Sequence, residues 1–370
     1  MWGNAVSIAE NRPESYAKDI TLRYPIYCPF DGDSIRLTFD NYCGTQKISI
    51  ERVTVLLNDV FYDVKFDGDN AVTINGKDSK VSDEVSIDIK RGMTLYVSFY
   101  LKDYTHMRSA VYVQGPLSGG MYAIGDATHT NSFCLDSSRK TNIYYFLSNI
   151  SIHTEKANRA IVCYGDSITA QDWPDYLTLL LDEAGITNIS VIRRATSGSR
   201  ILRQYSCITY ESYGLMGKNR FEHEMVTDGV DTVIIQQGIN DIIHPVGTEI
   251  NPFRPMSDLP TVDELKEGLE WYINKAKSHG YKVVLGTLLP IEGWRTYADF
   301  REVLKNEYNE YMRNSMDVDG LIDFDIALRD CDNNKAFADE CDSGDHLHPS
   351  SLGYKKMAQA ALEYIINKKC

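Results

Sequence analysis

Apolar and polar residues change rhythm once along this chain, near residue 155. Upstream they alternate with a period of two. Ile20-Thr21-Leu22-Arg23-Tyr24 and Ser34-Ile35-Arg36-Leu37-Thr38-Phe39 each place their apolar side chains on one face of a strand. Further strands are expected at 50–57 (IERVTVLL), 85–89 (VSIDI), 93–101 (MTLYVSFYL), 109–115 (SAVYVQG) and 142–153 (NIYYFLSNISIH). Turn signals Asp31-Gly32, Asp67-Gly68, Asn75-Gly76 and Gly119-Gly120 fall between them, and no helix of convincing length stands out. Many short antiparallel strands at this spacing predict an all-β sandwich of jelly-roll-like form.

From residue 160 the pattern alternates strand with helix. Short apolar strands are expected at 161–164, 189–192, 232–235, 283–289 and 321–324. Between them lie helical stretches at 174–184, with Pro174 in its first turn and Gly185 at its end, and at about 298–315 and 350–367. Thr261-Val262-Asp263-Glu264 reads as a capping box opening another helix, with Leu265, Leu269, Ile273 and Ala276 on one face and Gly280 at its end. Five strands with intervening helices predict a parallel five-stranded sheet between helical layers, a three-layer α/β/α domain. The expected division is therefore 1–155 and 156–370.

That topology gives the polar clusters a shared address. Ser167 follows the first of these strands, Gly198 the second and Asn240 the third, while Asp345-His346-Leu347-His348-Pro349 follows the fifth. Ligands of such sheets bind beyond the carboxyl ends of the strands. A serine with a histidine and an aspartate in reach is the general apparatus of acyl transfer. A backbone N–H at Gly198 and the amide of Asn240 are suitable donors to an oxyanion. Taken one at a time, each cluster also has a plain structural reading. Ser167 can cap a helix, Gly198 can be a loop glycine, Asn240-Asp241 can form an Asx turn, and Asp345, His346 and His348 can hold Zn or Mn. No further His or Cys stands at ligand spacing, so neither a metal nor another cofactor is expected. Of the two histidines, His348 is the better base. Its i, i+3 spacing from Asp345 lets the two side chains share a face, whereas His346 points away.

Composition narrows the partners. A net charge of −14 with scattered Lys and Arg excludes a phosphate-tracking surface, so no nucleic acid is expected. No apolar run reaches the roughly 18 residues of a membrane span. The first residues lack the basic and apolar regions of a secretory signal, although one removed earlier would leave no trace. Eight cysteines (28, 43, 134, 163, 207, 331, 341, 370) show no CxxC spacing, and Cys163 falls inside a core strand. A reducing, cytoplasmic setting is expected.

GDSIT at 165–169, the glycine at 198, GIND at 238–241 and SGDHLHP at 343–349 resemble the four signature blocks of the SGNH (GDSL) hydrolase superfamily. Trp173-Pro174 and Leu321-Ile322-Asp323-Phe324-Asp325 add softer points of likeness over residues 160–370. The second block departs from the usual Asn-x-Gly-x-Gly form, reading Arg194-Ala195-Thr196-Ser197-Gly198. The resemblance implies Ser167 as nucleophile, His348 as base and Asp345 as its orienting carboxylate. The backbones of Ser167 and Gly198 and the side chain of Asn240 would then form the oxyanion hole.

Fold and triad do not choose a substrate. A sandwich ahead of such a domain is similar to the two-domain carbohydrate acetylesterases that deacetylate xylan or mannan, with residues 1–155 as a carbohydrate-binding-like accessory domain. The 24 tyrosines and 4 tryptophans supply surfaces for sugar rings. Trp173, Trp294 and Tyr297 lie near the active edge and are expected to bind substrate. An acetylated oligosaccharide is the expected partner. The alternatives are a general short-chain or aryl esterase, a lipase-like acylhydrolase, and a sugar-binding protein on an inactive scaffold. For a lipase no exposed Leu and Phe cluster is seen, although Leu288-Leu289-Pro290-Ile291 is placed to line a small acyl pocket.

Overall fold

The computed structural model describes residues 1–8, 16–207, 209–225 and 227–367. The chain divides into two compact units, one of residues 1–160 with 185–193 and one of residues 161–184 with 194–370.

The first unit is built from antiparallel strands. Its six-stranded sheet runs Ser138–Thr141, Gly120–Ile124, Ile20–Tyr27, Thr94–Leu101, Arg52–Leu57 and Val60–Val64. A second sheet runs Trp2–Gly3, Leu147–His153, Gly32–Asp40 and Ser79–Val81, with Val85–Ile89 also on Gly32–Asp40. The period-two pattern explains why they face one another. Leu95, Val97, Phe99 and Leu101 are buried from one sheet, Ile35, Leu37 and Phe39 from the other. Phe39 and Phe99 meet edge to face with ring centroids 5.2 Å apart, a favoured aromatic geometry. A β-sandwich is the result, as the alternation predicts.

Two local details differ. The apolar run 142–153 is two strands, Ile143–Tyr145 and Leu147–His153, because the buried Phe146 between them takes φ +59°. Asp31-Gly32 marks a close approach inside the sheet. Gly32 opens the strand Gly32–Asp40, and a Cβ there would stand 2.5 Å from the Ile152 side chain and 2.6 Å from the His153 carbonyl oxygen.

The second half carries a parallel five-stranded sheet in the order Ile189–Ala195, Arg159–Gly165, Val230–Gln236, Lys282–Gly286, Gly320–Ile322. The chain moves outward in one direction from the first strand and then reverses. Right-handed crossovers therefore send the connecting helices to opposite faces. Trp173–Glu183 packs with Ser351–Asn367 and Phe324–Leu328, while Gly217–Met225, Ile239–Ile243, Val262–Ser278 and Asp299–Arg313 pack among themselves. The three layers match expectation, and so does the capping box. The Glu264 N–H donates to the Thr261 hydroxyl at 3.2 Å, and the Thr261 N–H to the Glu264 carboxylate at 2.8 Å.

Boundaries shift at the ends of the last two strands. The fourth stops at Gly286, and the fifth stops at Ile322, with Phe324 opening a helix. Leu288, Leu289 and Ile291 are core residues, which removes them as an open acyl-pocket lining. Cys28, Cys163 and Cys341 are buried thiols, and Cys370 lies outside the described residues. No helix among the described residues is long and apolar enough to cross a membrane.

Candidate active site

The strand Arg159–Gly165 delivers Ser167 to the sheet's carboxyl edge as the first residue of the short helix Ser167–Ala170. Asp166, not Ser167, caps that helix: its Oδ1 accepts from the Ile168 N–H at 3.1 Å. Burial pushes the Asp166 carboxyl up to about 7, against the opposing pull of that N–H and of His348. With the capping duty taken, the serine hydroxyl turns elsewhere. Ser167 Oγ lies 2.9 Å from His348 Nε2.

His348 is aimed from its other side, with Nδ1 2.7 Å from Asp345 Oδ2. Asp345 is itself tied into the tight turn that precedes the last helix. Its Oδ1 accepts from the Leu347 and His348 N–H groups at 2.9 and 2.8 Å and from the Ser343 hydroxyl at 3.1 Å. Partial burial would raise this carboxyl, but the hydrogen bonds from the His348 ring and the two backbone N–H groups hold it well below the usual carboxylate range. It therefore stays ionised, and a proton on His348 Nδ1 faces an anion. His346, next in sequence, takes φ +61° and pairs its Nδ1 with Asp342 Oδ2 at 2.5 Å, at the rim. Each imidazole thus has its own carboxylate.

The second and third blocks are joined at Ser199. Gly198 adopts φ +77°, and a Cβ there would strike the Tyr213 ring at 2.4 Å, so only glycine fits. Asn240 is buried in the helix Ile239–Ile243 and gives one amide N–H to the Ser199 carbonyl at 3.1 Å. An amide has two such donors, and the second has no acceptor among the described residues. Asp241 accepts from the Ile201 and Leu202 N–H groups at 2.8 and 3.0 Å, which fastens the following loop, and burial pushes its carboxyl up to about 6. The arrangement can move a proton from a hydroxyl to an imidazole backed by an anion.

The GDSL-like lipase/acylhydrolase family model matches residues 163–356, which hold all of these groups. The chain belongs to the GDSL-like lipase/acylhydrolase family.

Two solved structures are similar to it at low identity. Axe2, an acetylxylan esterase from Geobacillus stearothermophilus, is 19% identical, with 57% of this chain and 96% of that chain covered and a TM-score of 0.42. A GDSL-like lipase (BT0569) from Bacteroides thetaiotaomicron VPI-5482 is 18% identical, with 58% and 91% covered and a TM-score of 0.41. No curated protein sequence matches the chain.

Within this GDSL domain the aromatic residues separate. Trp173 is fully buried, packs on Phe324 at 5.4 Å and donates Nε1 to the Thr169 hydroxyl at 3.3 Å, so it is a core residue and cannot touch substrate. Its place near Ser167 in sequence is undone by the helix Trp173–Glu183, which turns the indole inward. Trp294 and Tyr297 are half-buried in the segment after the fourth strand, and neither Trp294 Nε1 nor Tyr297 Oη has a hydrogen-bond partner among the described residues. Gly293 brings that segment against the His346 ring, 2.7 Å from where its Cβ would stand. Thr296 fastens its other end to the Ile243 carbonyl at 2.9 Å.

Several supporting residues escaped the sequence reading. Asn309 grips both backbone groups of Leu288 at 2.8 Å, holding the segment that leads to Trp294. Tyr213 and His244 stack at 4.8 Å beside Gly198 and Asn240. Arg220 reaches the Gly165 carbonyl oxygen at 2.8 Å from a helix that no periodicity announced. The one available signal was Gln236-Gln237, polar residues closing an apolar strand. Thr169 donates to Gln236 Oε1 at 3.0 Å, and Gln237 Nε2 donates to the Ser199 hydroxyl at 3.0 Å.

Proposed function

We propose that this acylhydrolase is a serine esterase that removes short acyl groups, acetyl above all, from oligosaccharides of the xylan or mannan type. The observation that carries the reading is the continuous chain Ser167 Oγ–His348 Nε2–His348 Nδ1–Asp345 Oδ2, with links of 2.9 and 2.7 Å. In the first half-reaction His348 takes the hydroxyl proton as Ser167 Oγ attacks the ester carbonyl. The imidazolium then gives that proton to the departing sugar oxygen, leaving an acyl-enzyme. Water, deprotonated by His348, releases the acid and restores Ser167. The N–H groups of Ser167 and Gly198 and the second N–H of Asn240 receive the negative oxygen in each tetrahedral intermediate.

Sugar recognition is assigned to Trp294 and Tyr297, whose N–H and O–H groups have no partner among the described residues and lie on a segment that touches the His346 loop. An aromatic body with a polar tip suits a sugar face and its hydroxyls. The sandwich is taken as an accessory, carbohydrate-binding-like domain, a reading that its exposed Tyr104 and Tyr112 favour. The test compares p-nitrophenyl acetate with p-nitrophenyl octanoate, then follows acetyl loss from acetylated xylo- and manno-oligosaccharides by mass. Acetate turnover without oligosaccharide deacetylation would leave a general esterase.

A second reading rests on a separate observation. Ile250 (78% exposed), Phe253 (56%) and Phe300 (49%) give this half of the chain the apolar surface that the sequence did not show. A long-chain acylhydrolase would use such residues, and faster turnover of octanoate than acetate would favour it.

A further inference from the structure

Arg220 lies in Gly217–Met225, a helix of largely polar sequence, yet it is 1% exposed. Its Nη2 donates to the Gly165 carbonyl oxygen at 2.8 Å and its Nη1 to the Arg194 carbonyl oxygen at 3.2 Å, while Nη1 also pairs with the buried Glu224. The guanidinium stacks over the Tyr164 ring, 4.3 Å from its centroid, and the Tyr164 hydroxyl donates to the Gly217 carbonyl at 3.0 Å.

Both acceptors are strand ends. Gly165 is two residues before Ser167, and Arg194 is four residues before Gly198. The Gly165 oxygen also accepts from the Thr196 N–H at 3.1 Å, so the ladder between these strands closes where the guanidinium begins. We propose that Arg220 is a positioning residue: by donating to the Gly165 and Arg194 carbonyls together, it sets the spacing between the strand ends that carry Ser167 and Gly198. The inference rests on the esterase reading above, in which those two residues hold one oxyanion.

The chemistry favours this over a role in stability. Replacing a buried ion pair by apolar groups of similar volume is often neutral or stabilising, so stability alone does not explain its presence. A rigid planar fork presents its donors to two carbonyls and a carboxylate in fixed, separated directions, which the compact ammonium of lysine, with three freely rotating donors on one atom, does not reproduce. The spacing matters because an oxyanion donor displaced by about 1 Å can cost on the order of a hundredfold in rate.

The experiment uses the full chain with Arg220→Lys, and with Arg220→Met combined with Glu224→Leu, which leaves neither charge buried alone. Thermal unfolding, kcat and KM on p-nitrophenyl acetate, and the rate of Ser167 phosphorylation by diethyl p-nitrophenyl phosphate are measured. Both variants are expected to fold, to lose roughly 10–100-fold in kcat with KM within about threefold, and to slow in phosphorylation alike. Folded variants with kcat within about twofold of the parent would overturn the proposal, as would failure of both to fold. If only Arg220→Lys misfolds, the double variant decides. Ser167→Ala keeps the two questions apart: if it remains active the esterase reading fails, whereas an inactive Ser167→Ala beside fully active Arg220 variants sinks only the positioning role.

Discussion

Gly165 and Gln236 stand so close that a Cβ on the glycine would lie 2.4 Å from the Gln236 carbonyl oxygen and 2.6 Å from the Thr169 hydroxyl. The contact brings the ends of the first and third strands together at the point where the sheet order reverses, which is where such sheets form their crevices. Gly165→Ala has to move backbone, since the carbonyl cannot swing away as a side chain would. We expect a loss of about 1–3 kcal/mol by urea unfolding, the usual cost of overpacking, with a fall in kcat as Ser167 moves. A variant as stable and as active as the parent would refute the close approach.

Ser167→Ala should abolish turnover to several orders of magnitude below the parent while the unfolding midpoint stays near its original value. Serine and histidine act as a unit in such sites, so the loss is not graded. Retention of a tenth of the esterase activity in a folded variant would remove Ser167 from the mechanism.

Asn240→Ala should lower kcat by roughly 10²–10³, the effect of deleting one oxyanion donor. It also gives up the bond to the Ser199 carbonyl, so a stability loss of about 1 kcal/mol accompanies it. Unfolding and steady-state kinetics measured on the same preparation separate the two effects. A change in stability with kcat untouched would make Asn240 a loop fastener only.

Asp166 gives a pH signature whose sign follows from its burial. Its folded carboxyl is pushed up to about 7, whereas an unfolded aspartate titrates near ~3.9. Between those values the folded protein keeps a proton that the unfolded chain has released, so this group lowers stability as pH rises through the window. Asp166→Asn retains an acceptor for the Ile168 N–H and cannot ionise. Unfolding free energies at pH 5 and pH 8 should therefore show the variant gaining on the parent as pH increases. A constant difference would mean that Asp166 is ionised throughout.

Prolonged dialysis against a chelator should leave ester hydrolysis unchanged, because each imidazole of the His346–His348 segment is paired with its own carboxylate at 2.5 and 2.7 Å. Loss of turnover that Zn²⁺ or Mn²⁺ restores would move the site to metal-assisted hydrolysis.

The sequence by itself determined the strand alternation of the first half, the strand-helix order of the second and the four polar blocks that follow its strands. These are local properties. A period-two or period-3.6 pattern, a capping box such as Thr261–Glu264 and an i, i+3 pair such as Asp345 and His348 are each written within a few residues. Tertiary structure decided what depends on neighbours far along the chain. Trp173 lies six residues from Ser167, yet the turn of its helix places it in the core against Phe324. The helix Gly217–Met225 stayed hidden because its buried face includes Arg220 and Glu224, and charges read as solvent-facing until their partners are known. Those partners are the Gly165 and Arg194 carbonyls, 55 and 26 residues away in sequence. The capping of the helix Ser167–Ala170 by Asp166 rather than Ser167 was decided in the same way. Asp166 takes the Ile168 N–H of the local turn, and the serine hydroxyl meets His348, 181 residues on.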